Sequence, residues 1–72
     1  MTFNFVDFAL HVRIGFADPC KYNNKPLRDI AKEIGISAPT LSRATQGKRL
    51  DIDTVITLCF FLDLDIAYFF IY

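Results

Sequence analysis

Apolar residues recur along this chain at helical spacing, interrupted by turn formers at Asp18-Pro19, Asn23-Asn24, Pro26, Gly35 and Gly47. In the first segment Phe5, Phe8, Ala9, Val12 and Phe16 follow the three- and four-residue steps of a helix with one apolar face. Leu10, Val12 and Ile14 also alternate with His11, Arg13 and Gly15, a period of two that suits a strand. For residues 3–16 the helix is the favoured of the two, because a lone strand has no evident partner elsewhere in the chain. His11 falls on the polar side in either case and reads as a surface or half-buried histidine without a role.

Residues 17–25 carry turn formers and no apolar period, which predicts a loop whose Lys21 and Lys25 are within reach of a phosphate. Pro26 suits the first turn of a second helix, which continues through Leu27, Ile30, Ala31 and Ile34 and closes at Gly35. Ser37 then caps a third helix with Pro39 in its first turn, Leu41 and Ala44 facing inward, and a stop at Gln46-Gly47. Asp51 caps a fourth, with Ile52, Val55, Ile56, Cys59 and Leu62 on the inward face, and Asp65 caps a short last helix containing Ile66, Phe69 and Phe70. The fold class that follows is all-α, a compact bundle of about five short helices forming one domain over residues 1–72.

Composition narrows the function classes. With 53% hydrophobic and 22% charged residues, the 72-residue chain has the make-up of a globular domain rather than a disordered one. The longest apolar run, Ile66 to Tyr72, falls far short of the roughly 20 residues of a bilayer span, and no secretory signal is evident. A cytoplasmic protein without membrane contact is therefore expected. Two cysteines, Cys20 and Cys59, with the single His11 supply neither a disulfide framework nor a zinc site, so no metal and no cofactor is expected. No nucleophile–base pair, carboxylate pair or phosphate loop points to an enzyme, and no small-molecule ligand is evident.

The net charge of zero conceals a segregation. Lys21, Lys25, Arg28, Lys32, Arg43, Lys48 and Arg49 lie between residues 21 and 49 with only Asp29 and Glu33 against them. Everything after Leu50 is acidic or neutral, with Asp51, Asp53, Asp63 and Asp65. The middle third is built to meet an anion.

That middle third also carries a motif over Leu27 to Gly47. Ala31 is small where a second helix must cross closely, Gly35 makes the tight turn, Ile36 plugs the corner and Leu41 anchors the second helix. Two helices joined by about three residues cross steeply and leave the second one protruding, the geometry of a helix-turn-helix that can enter a major groove.

With these residues the sequence resembles the Cro/phage-repressor-like (Xre-type) helix-turn-helix family from Pro26 to Phe70. Ser37 to Arg43 looks like the family's recognition helix, Gly47-Lys48-Arg49 like its basic turn, Asp51 to Leu62 like its fourth helix, and Leu64 to Phe69 like the short closing one. The resemblance implies a lambda-repressor-like fold and a transcriptional regulator, a repressor of prokaryotic or phage origin found on the nucleoid when bound. Its partners would be double-stranded DNA, at a roughly palindromic operator, and a second copy of the chain. Carried over, the base-reading face is Ala38, Pro39, Thr40 and Arg43. A guanidinium at Arg43 can grip guanine with two hydrogen bonds, and Thr40 and Ala38 offer methyl groups to thymine. Arg28, Ser37, Ser42, Lys48 and Arg49 are placed for phosphates. Three departures stand out: Leu27 replaces the usual glutamine of the first motif helix, the first loop is long, and Phe60 and Tyr68 occupy positions that are normally polar.

Those two aromatics belong to an apolar surplus. Phe60, Phe61, Tyr68, Ile71 and Tyr72 exceed what one small core can bury and predict a dimer interface in the acidic C-terminal third. The alternative is an antitoxin-like or phage-encoded adaptor that uses this aromatic surface to engage another protein.

Overall fold

The computed structural model describes residues 2–23 and 25–71. Four α-helices and a 3₁₀ turn make up most of the chain: α1 (Phe5–Phe16), α2 (Leu27–Ile34), α3 (Ala38–Thr45), α4 (Ile52–Leu62) and the turn Ile66–Phe69. The all-α expectation holds, with the 3₁₀ turn in place of a fifth helix.

Residues 5–16 are helical. Asn4 starts α1 by accepting the Asp7 amide on its Oδ1 at 3.0 Å. The buried side of α1 is Phe8, Ala9, Val12 and Phe16, as the three- and four-residue spacing requires. Extended chain does occur just before it. Two short strands, β1 (Thr2–Phe3) and β2 (Phe70–Ile71), pair antiparallel with Thr2 opposite Ile71 and Phe3 opposite Phe70. A partner for extended chain at this end is thus supplied by the far end of the chain. The Asn4 amide extends the contact by donating to the Phe69 carbonyl at 2.7 Å.

Phe8, Val12, Ile30, Leu41, Leu58 and Phe69 form the fully buried centre where α1, the motif helices, α4 and the 3₁₀ turn meet. Phe8 and Phe69 pack edge-on with ring centroids 5.1 Å apart, a favoured aromatic geometry. In the loop before α2, Tyr22 lies edge-on against Phe16 at 5.1 Å, and burial raises its phenol above the ordinary value. Pro26 stands one residue ahead of α2, at the N-cap rather than within the first turn.

The face of α4 differs from the expectation. Ile52 and Ile56 are 60% and 53% exposed, and the buried stripe is Thr54, Val55, Leu58 and Cys59, with Leu62 half-buried against it. A helix apolar nearly all round offers more than one solution to a periodicity argument. Here Thr54 goes inside because its hydroxyl donates to Asp51 Oδ1 at 2.6 Å, which offsets the cost of burying it. Asp51 holds the N-cap position of α4, yet its carboxylate takes that hydroxyl rather than a backbone amide. At the other end Asp65 caps the 3₁₀ turn as expected, accepting the Ala67 amide at 3.0 Å.

Candidate nucleic-acid interface

The turn between α2 and α3 sets the site. Gly35 closes α2 in the left-handed conformation at φ 84° and ψ 25°, where a side chain is strained and glycine is not. The Gly35 and Ile36 amides both donate to the Ala31 carbonyl, at 2.9 and 3.0 Å, so α2 ends in a tight turn three residues before α3 begins. Ser37 then starts α3, its Oγ accepting the Thr40 amide at 3.3 Å. Leu41 and Ala44 bind α3 to the core. The helical period accordingly turns Pro39, Ser42, Arg43 and Gln46 away from it.

Of the residues expected to read bases, Ala38, Pro39 and Arg43 are exposed and Thr40 is half-buried. Thr40 is already engaged: its Oγ1 lies 2.6 Å from Ser37 Oγ and accepts from Arg43 Nη2 at 3.4 Å. The three side chains form a short polar relay that restricts the Arg43 guanidinium while leaving its remaining donors free. Ser42 is half-buried, and Gln46 Nε2 donates to its Oγ at 3.0 Å. Gln46 was not anticipated as part of this face. The signal was its place three residues after Arg43, on the same side of the helix.

The expected phosphate contacts surround α3. After Gln46 the chain turns through Gly47 at φ 76°, and the Lys48 amide returns to the Arg43 carbonyl at 3.3 Å. That presents Lys48 and Arg49 as exposed residues directly beyond the helix. Arg28, in the first turn of α2, has 81% of its side chain exposed and only a 4.0 Å approach to Asp29 Oδ1. Lys25 is less available than Lys21, because its Nζ is paired with Glu33 Oε1. Arg13, which no motif flagged, donates from Nη1 to the Thr45 carbonyl and ties α1 to the end of α3. The Thr54 hydroxyl, and more weakly the charge of Arg43, hold the Asp51 carboxyl below its usual range.

Phe60, Phe61, Tyr68 and Ile71 all lie exposed, Phe60 by 78%. Tyr72 lies outside the described residues. His11 is half-buried, its Nδ1 donating to the Asp7 carbonyl at 2.9 Å and its ring edge-on to Tyr68 and Phe69. Among the described residues no helix is long and apolar enough to cross a membrane, and no group of side chains could hold a metal ion.

A helix that shows polar and cationic side chains on its exposed face, joined to its neighbour through a left-handed glycine and followed by a basic turn, defines a helix-turn-helix DNA-binding domain. The chain belongs to the family of Cro/C1-type HTH DNA-binding domains, whose match spans residues 21–72. It is therefore a DNA-binding regulator, and the match takes in the motif, α4 and the closing turn but not α1. No curated protein and no solved structure matches it.

Proposed function

We propose that this protein is a sequence-selective repressor that binds a roughly palindromic operator as a homodimer, with α3 in the major groove. The observation that carries this reading is the exposed face of α3, where Arg43 is the one charged side chain, with Arg28 on α2 and the Lys48-Arg49 turn exposed as well. Arg43 reads a guanine, with Ala38, Pro39 and Thr40 against neighbouring bases. Arg28, Ser37, Ser42, Lys48 and Arg49 hold phosphates and fix register without reading sequence. The acidic C-terminal third is turned to a second copy through Phe60, Phe61, Tyr68 and Ile71. Ile56 and Phe60, four residues apart along α4, extend that surface along the helix. A two-fold arrangement built there sets two α3 helices about 34 Å apart, one turn of duplex.

Oligonucleotide selection from a random pool, followed by titration across salt, tests the first half. Retention of a preferred sequence over random DNA, with log affinity falling linearly in log salt, is the expected result. Equal retention of all sequences would refute a sequence reader. Sedimentation at micromolar concentration tests the second half. A monomer mass for the parent, or an unchanged dimer after Phe60→Glu with Tyr68→Glu, would rule the interface out. The adaptor alternative rests on the same aromatic surface, and it prevails where the protein is monomeric and ignores DNA.

A further inference from the structure

Behind the basic turn lies a groove of about 530 Å³, within the range of small-ligand sites. Most of the side chains that line it are apolar: Phe3 and Phe70 from the strand pair, Phe5 from the start of α1, and Leu50, Ile52 and Val55 at the entry to α4. Among the described residues, Thr2 and Arg49 are the polar side chains that line it. Among the described residues Arg49 pairs with no carboxylate, and Asp51, two residues on, directs its Oδ1 to the Thr54 hydroxyl rather than to Arg49. An apolar trough with one free guanidinium at its rim is complementary to a molecule with a hydrocarbon body and a single anionic head.

We propose that this groove binds a small amphipathic monocarboxylate, and that the bound acid draws Arg49 away from the DNA backbone. The carboxylate takes the Arg49 guanidinium while the hydrocarbon lies against Phe3, Leu50, Val55 and Phe70. Coupling to DNA rests on the phosphate role given to Arg49 above, whereas occupancy of the groove does not. The basic turn and the groove share a wall: a Cβ on Gly47 would stand 3.3 Å from Val6 Cα and 3.8 Å from the Phe5 carbonyl oxygen. A ligand that shifts Phe5 therefore meets the turn that carries Lys48 and Arg49. The second cavity, about 240 Å³ between His11 and the 3₁₀ turn, is walled by Asp63 and Asp65 and repels the same anion.

Octanoate, 1-octanol and octylammonium, titrated separately into the whole chain without DNA and followed by NMR, distinguish this site from general greasiness. Octanoate is expected to give saturable shifts at Phe3, Leu50, Val55 and Phe70, with the two control compounds weaker by on the order of tenfold, since only the acid gains a charge-assisted contact. Arg49→Gln should bring octanoate down to the level of octanol. Ile52→Trp, at an exposed position that a larger ring can fill without entering the core, should block all three. Equal affinities for the three compounds, or octanoate shifts centred on Phe60 and Tyr68, would overturn the site. Saturating octanoate should also weaken operator binding by the parent and leave Arg49→Gln unchanged. Undiminished DNA binding by an octanoate-saturated parent would overturn the coupling. A parent that holds octanoate in the groove but binds no DNA would instead remove the repressor reading and keep the site.

Discussion

The left-handed turn at Gly35 permits a clean separation of backbone strain from steric fit. An ideal Cβ placed on Gly35 meets no heavy atom within 4 Å, while its φ of 84° lies where L-residues are disfavoured. Substitution there thus perturbs conformation alone. Alanine should destabilise the domain by about 1–2 kcal/mol and valine, whose branched Cβ tolerates the region least, by about 1–3 kcal/mol. In a domain of this size 1 kcal/mol moves the melting temperature by roughly 4–8 °C, so Gly35→Ala should melt about 4–16 °C below the parent. Gly35→Asn should fall between glycine and alanine, because asparagine enters this region more readily. A semisynthetic chain with D-alanine at position 35 is the decisive control. Its enantiomeric Cβ suits positive φ, so it should melt above the L-alanine chain. Thermal melts by circular dichroism read the series. A Gly35→Val protein that melts within a degree of the parent, or D-alanine no better than L-alanine, would refute the account of the turn.

Other outcomes follow from the same geometry. Arg43→Ala should cost about 1–3 kcal/mol at the preferred site and relax base choice there, whereas Lys48→Ala should weaken all sequences alike and reduce the logarithmic salt slope by about 1. Equal losses on specific and random DNA for Arg43→Ala would sink its assignment as a reader. Burial, and to a lesser degree the charge of Asp65, raises the Cys59 thiol above its ordinary value. A thiol reagent should therefore label exposed Cys20 at once and Cys59 only on unfolding, and simultaneous labelling would contradict the packing of α4. Because the folded state lowers the Asp51 carboxyl, its share of stability is present above the unfolded value of about 3.9 and lost as pH falls through the folded one. Asp51→Asn should melt below the parent at neutral pH and converge with it in acid; a constant difference at all pH values would refute the linkage.

Much of the fold was legible because its punctuation is local. Gly35, Ser37, Pro39 and Asp65 act on backbone groups within four residues, so their roles follow from chain position without knowledge of the partner elements. The solvent-facing side of α3 was legible for the same reason, since Leu41 and Ala44 are its buried positions and fix what faces away. Gln46, at the C-cap, lies on that exposed side as well. What depends on long-range pairing was hidden. Strands of two residues carry no alternation to count, and β1 meets β2 from the opposite end of the chain, with no turn between them to announce a hairpin. The Arg13 contact to the Thr45 carbonyl joins side chain to backbone across two helices and leaves no trace in any spacing.

The misread face of α4 shows how such hidden contacts connect to function. Sequence alone could not choose between a stripe through Ile52 and Ile56 and one through Thr54 and Leu58, because hydrophobicity favours both. The Asp51–Thr54 hydrogen bond settles the choice by making a buried hydroxyl acceptable. That one contact rotates the aliphatic edge of the helix outward. Ile52 then becomes a wall of the groove behind the basic turn, while Ile56 joins Phe60 on the exposed side. Asp51→Ala offers a way to test this division. It leaves the Thr54 hydroxyl buried without its acceptor, so the domain should lose about 1–3 kcal/mol, and Thr54→Val in the same background, which removes the hydroxyl as well, should recover most of that loss. If α4 re-registers in Asp51→Ala to bury Ile52 and Ile56, both the groove and the exposed apolar edge would disappear together. Methyl resonances of Ile52 and Ile56 report the outcome directly: their burial in Asp51→Ala means that the Asp51–Thr54 bond decides the register, and unchanged solvent exposure means that the packing of Val55 and Leu58 holds it without that bond.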